Sequence, residues 1–319
     1  MRRQLCQLWA LTGLALRESM RQPALLLITT AVSTLGALFP LVLAHQFGEP
    51  GKLVRDSVLG LQLFFGVVIG GLASATAIGR EMETGTGLLV LSKSVSRSAF
   101  FLAKFVGVAV VLLLFSWCVG FAAALSTRVG PANYVDDPLA GRIVIGAVIM
   151  AYAAAAVANA VWRRPFCSTA LLLLCLFLPL SFALIEWCRA MTHGYPVYEA
   201  VRLVPAVVLI LLALLLMAAI ALLLATRLSA VPVLAVCALV FATGLLSDHL
   251  LGARIARSGL AAALYAVIPN WQSFWMADAL SRNGSIAVGY VVRSGAYAAA
   301  HVCAWLCFGL WAFRSGEVR

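Results

Sequence analysis

Eight uncharged apolar stretches constrain this chain more than any motif in it. They run over 22–44, 57–79, 105–127, 143–162, 165–185, 203–226, 228–247 and 294–313. Each is close to the roughly 20 residues a helix needs to cross about 30 Å of hydrocarbon. The stretches are continuously apolar, not alternating, so they read as helices and not as barrel strands. Of the 319 residues, 63% are hydrophobic and 11% charged, and a soluble fold of this length has no interior large enough to hide that much apolar surface. The expected fold class is an all-α polytopic membrane protein, one transmembrane domain over 1–319 with about eight transmembrane helices.

A ninth uncharged run, Ser258 to Ala277, behaves differently. It contains Pro269-Asn270-Trp271-Gln272, followed by Phe274 and Trp275. A Pro-Asn pair breaks a span, and Trp and Phe favour the membrane–water boundary. The segment 248–290 therefore reads as an outer-face segment carrying a short helix or half-helix. At the other end of the chain, Leu5, Leu8, Trp9, Thr12, Ala15, Leu16 and Met20 recur at helical spacing, with Arg2, Arg3, Arg17 and Arg21 beside them. This pattern predicts an amphipathic helix over 1–22 lying in the membrane interface. A plain extension of the first span is the alternative.

The formal charge is +11. No basic stripe with interleaved aromatics accompanies it, so no nucleic acid is expected as a partner. The basic residues instead flank apolar runs, as topology and anionic headgroups require, and the lipid bilayer is the expected partner. With the N-terminus inside, thirteen of the 23 basic residues fall on its side, including the short turns Arg163-Arg164 and Arg227. Both termini are then expected on the cytoplasmic side. The eight cysteines form no CxxC pair, which speaks against a zinc ribbon or a redox motif.

One dense polar island interrupts the apolar pattern between the second and third spans. It is Gly79-Arg80-Glu81-Met82-Glu83-Thr84-Gly85-Thr86, followed by Ser94-Val95-Ser96-Arg97. Charge beside a bilayer is costly and marks a candidate functional site. Gly85 and Gly87 permit a tight turn, and Ser94 to Ser98 give a capped start for the next helix. A short helix over 80–98 would suit docking in a partner's groove. A solvated loop that only sets topology is the plainer reading.

The order of these parts resembles a permease subunit of the type 2 ABC exporters. The points of likeness are Leu16-Arg17-Glu18-Ser19-Met20-Arg21 in the N-terminal helix, Glu81-Met82-Glu83-Thr84-Gly85-Thr86 after the second span, Val95-Ser96-Arg97 and then Lys104 opening the third, Leu224-Ala225-Thr226-Arg227-Leu228-Ser229, and Ile268-Pro269-Asn270-Trp271. The likeness is closer over 1–127 than over 203–313, and in detail resembles the branch associated with multicopper-enzyme maturation. The family commonly has six spans, and 140–186 looks like an added pair. The resemblance implies a bacterial cytoplasmic (inner) membrane location, an ABC ATP-binding subunit as partner, and a second permease subunit, identical or not. It implies a coupling segment with Arg80, Glu81, Glu83, Thr84, Gly85, Thr86 and Arg97 as the ATPase-docking residues. ATP and Mg are expected on the partner; this chain has no Walker A pattern to hold them, and no cofactor, metal or catalytic residue is assigned to it.

Other polar groups carry weaker signals. His301, Cys303 and Cys307 offer donors that suit a soft metal, but side-chain packing in an Ala-rich helix accounts for them as simply. Glu186, Arg189 and His193, and likewise Asp248 and His249, stand at span ends, where charges cost least. An intramembrane lipid-modifying enzyme and a membrane assembly scaffold are the rival functions.

Overall fold

A computed structural model describes residues 2–42, 51–83, 97–129, 138–192, 198–250, 252 and 258–315. The described residues are 92% helical with no strand, which establishes the all-α class over a barrel. Pro23 separates two N-terminal helices, α1 (Arg2–Met20) and α2 (Pro23–Val42). Pro suits the first turn of α2, where its missing N–H is not needed. Then come α3 (Lys52–Glu83), α4 (Arg97–Val129), α5 (Pro138–Trp162), α6 (Phe166–Thr192) and α7 (Tyr198–Ala225). The chain continues with α8 (Ala230–Leu245), two short helices α9 (Ser247–Leu250) and α10 (Gly259–Val267), 3-10 turns at Trp271–Phe274 and Ala277–Asn283, and α11 (Val288–Ser315).

Among the described residues seven helices, α2 to α7 and α11, are long and apolar enough to cross a membrane, so the chain is a multi-pass membrane protein. The eighth apolar run departs from expectation. Its helix, α8, has 16 residues, about 24 Å of rise against about 30 Å of hydrocarbon. Near its end Gly244 allows a close approach, since a Cβ there would overlap the Trp271 indole and the Pro269 carbonyl. The Pro269–Phe274 segment packs closely against this end of α8. It also completes the end of α8: Trp271 Nε1 donates to Val240 O at 3.3 Å and Gln272 Nε2 to Leu245 O at 3.0 Å. Leu245 O, at the helix end, has no intrahelical donor and in an apolar setting must find one elsewhere; Val240 O, a turn earlier, takes the indole in addition to the Thr243 hydroxyl.

The core lies between α3, α4 and α7, with α11 against α7. The small-residue face of α3 is used internally: Gly66 meets Leu214 and Gly71 meets Leu234. The α5–α6 hairpin stands outside this core and meets the rest of the bundle through α4, α2 and α1. Its turn places Arg163 in the left-handed region at φ 50°, and Asn159 Nδ2 donates to Arg164 O at 2.6 Å.

Candidate functional site

The expected docking residues map onto the junction of α3 and α4. Arg80, Glu81 and Glu83 fall in the last turn of α3, and Arg97 opens α4, exposed. Thr84, Gly85 and Thr86 lie outside the described residues, as does the rest of 84–96. What is described is the frame that carries this segment. With 32 and 33 residues, α3 and α4 rise roughly 48–50 Å, well beyond the bilayer core of about 30 Å.

The foot of α4 is fixed from two sides. On one, Lys104 Nζ meets Glu18 Oε2 at 3.3 Å, with the lysine side chain 4% exposed and the glutamate 29%. The ammonium also lies 5.5 Å from the Phe100 ring centroid, a cation–π distance. One turn further on, Gly107 lets the α1 backbone approach, since a Cβ there would press on Ala15. On the other side, Phe100 stacks on Phe313 of α11 with centroids 6.1 Å apart. Thus α1 and the end of α11 both pack on the first turns of α4. Neighbouring polar ties add to this end of the bundle. Gln22 Nε2 donates to Thr76 Oγ1 at 2.7 Å, and Arg227 Nη2 to Ala312 O at 3.2 Å, one of the last carbonyls of α11.

The opposite end carries a second polar cluster, around Asn270. Asp248 Oδ1 accepts from Tyr265 OH at 2.6 Å and from Asn270 Nδ2 at 2.9 Å. The Asn270 amide N–H donates to Tyr297 OH at 3.1 Å, and its side-chain oxygen accepts from the Gln272 N–H at 2.9 Å. Accepting carboxylate contact favours the protonated phenol, so Tyr265 titrates above the ordinary tyrosine range. Arg55, at the start of α3, donates to Leu280 O at 3.1 Å, and Lys52 reaches Asp278 at 3.3 Å. Asn270 is thus tied to Asp248, Gln272 and Tyr297 from both its side chain and its backbone. Asp248 and Asn270 stood out in the sequence; Tyr265 and Tyr297 did not, because a lone Tyr in an apolar run carries no spacing signal.

The remaining candidates lie apart from one another. Glu186 pairs with Arg128 across α6 and α4. Arg189 lies in α6, while His193 is outside the described residues. His301 packs against Tyr297 with ring centroids 4.3 Å apart and the planes tilted by 48°, and Cys303 and Cys307 are exposed on α11. Among the described residues no three His, Cys, Asp or Glu side chains converge in a metal-ligating group. No protein-family model, curated protein or solved structure matches this chain.

Proposed function

We infer that this chain is the membrane-spanning permease subunit of an export-type ABC transporter of the type 2 class. It couples ATP hydrolysis on a separate subunit to substrate movement or mechanical work across a bacterial inner membrane, with both termini in the cytoplasm. The observation that carries this reading is the pair of overlong helices, α3 and α4. They carry Arg80, Glu81 and Glu83 at the end of one helix and Arg97 at the start of the next, beside a foot clamped by the Glu18–Lys104 pair. A push on that segment would reach the core directly, because α3 and α4 both pack on the most enclosed span, α7. The motif resemblance described above supports the same role, with Arg80, Glu81, Glu83, Thr84, Gly85, Thr86 and Arg97 facing the ATPase. ATP and Mg belong to that partner, and a second permease subunit completes the assembly.

The test is copurification from native membranes in mild detergent, with mass spectrometry of stoichiometric partners. Wild type should bring down a P-loop ATPase, and Glu81→Ala/Glu83→Ala should lose it at unchanged expression. Absence of any ATPase from the wild-type sample would overturn the reading and leave an assembly scaffold or a lipid-modifying enzyme in its place.

A further inference from the structure

The seam between the peripheral α5–α6 hairpin and the core carries a pair of thiols in contact. Cys118 of α4 and Cys175 of α6 have their sulfurs 3.4 Å apart, and both are free. Cys118 is fully buried, whereas Cys175 is partly exposed.

Their meeting is fixed by the backbone. Pro179 sits inside α6, four residues after Cys175. A proline has no N–H, so the Cys175 carbonyl lacks its helical donor. The indole of Trp117, next to Cys118, supplies one: Trp117 Nε1 donates to Cys175 O at 3.1 Å. An unmet carbonyl in hydrocarbon is costly, so this bond holds the two helices in register at the thiols. The Arg128–Glu186 ion pair ties the same two helices nearer their ends.

We propose that Cys118 and Cys175 are a redox modification site, closed to a disulfide by a lipid-soluble two-electron oxidant of the quinone class. Both S–H bonds break and one S–S bond forms. The two protons and two electrons pass to the quinone oxygens, giving the hydroquinone. Exchange with a water-soluble disulfide needs an attacking thiolate, and separated charge is disfavoured in hydrocarbon. The oxidant therefore arrives through lipid, on the Cys175 side. The product links α6 covalently to α4 and so fixes the hairpin to the core, which otherwise meets it by packing and a few polar contacts. The inference goes beyond the permease reading and does not depend on it.

The experiment uses the full chain in lipid nanodiscs, with the other six cysteines changed to Ala. A fully substituted benzoquinone, which cannot add to thiols, is compared with aqueous oxidised glutathione. After denaturation, free thiols are counted with a mass-tagged maleimide, and linked peptides are mapped. The quinone should remove both tags, dithiothreitol should restore them, and glutathione disulfide should leave them. Separate Cys118→Ala and Cys175→Ala variants should each keep their single tag. A Trp117→Phe variant, retaining both thiols, should oxidise several-fold more slowly. Unchanged tags after quinone, equal oxidation by glutathione disulfide, or full loss of the tag from either single-cysteine variant would overturn the proposal.

Discussion

Lys104 is a charged residue buried where the bundle begins, and its surroundings say how much it can matter. Taking an ammonium out of water costs several kcal/mol unless a carboxylate answers it closely. Glu18 does so at 3.3 Å but stays partly wet itself, at 29% exposed. The two partners are therefore not equivalent. Glu18→Ala strips the carboxylate from a buried cation and is expected to cost about 2–4 kcal/mol. Lys104→Met leaves a carboxylate that can rehydrate and an apolar side chain that fills the site, so about 1 kcal/mol or less is expected. Thermal unfolding of both variants in detergent checks the order; equal losses would mean the pair is not held as described. Both residues belong to segments that stood out in the sequence. Their pairing did not, since 86 positions separate them and nothing in the local pattern aims one at the other.

Helix ends were harder to read than helix centres. The apolar runs 57–79 and 105–127 became α3 and α4, which start or finish several residues further out, at Lys52, Glu83, Arg97 and Val129. An uncharged run marks the part of a helix that lipid tolerates, whereas the backbone ladder continues through charged residues of good helix propensity. The opposite holds at α8, which is shorter than its apolar run and near its end packs Gly244 closely against Trp271 and Pro269. That packing is tertiary and leaves no trace in periodicity. Pro179 shows the same dependence within α6. Trp117→Phe removes the only described donor to the Cys175 carbonyl and is expected to cost about 1–2 kcal/mol. In a Pro179→Ala background the restored amide N–H takes over that carbonyl, and the same Trp change should then cost only a few tenths. A double-mutant cycle by thermal unfolding measures the difference, and an unchanged cost in the two backgrounds would refute the compensation.

For the whole molecule, the decisive relation is that α1 and the end of α11 meet at one place, the foot of α4. The N-terminal helix and the last helix therefore finish at the same end of the bundle. The Asn270 cluster and the start of α3 lie at the other. Six long helices, α2 to α7, return the chain to the end where it began; α8 and the following segment carry it across, and α11 brings it back. Reporter fusions should accordingly place tags before α1 and after α11 on the same side of the membrane, and a tag within 130–137 on the opposite side. Tags at the two ends on opposite sides would refute this path. The seven long apolar helices found among the described residues were legible because hydrocarbon imposes length and neutrality on every crossing, whereas the eighth run, expected to span, forms a shorter helix. The way α8 is completed was not legible, because it depends on a segment some thirty residues later folding back on it.

The proline in α6 also has a meaning for descent. Position 179 without an amide and position 117 with an indole N–H solve one problem between them. A lineage that replaces the proline releases the tryptophan to drift, while one that loses the tryptophan first inherits a bare carbonyl until the proline follows. The two positions, 62 apart in the chain, are thus expected to be exchanged as a pair across descendants of this sequence.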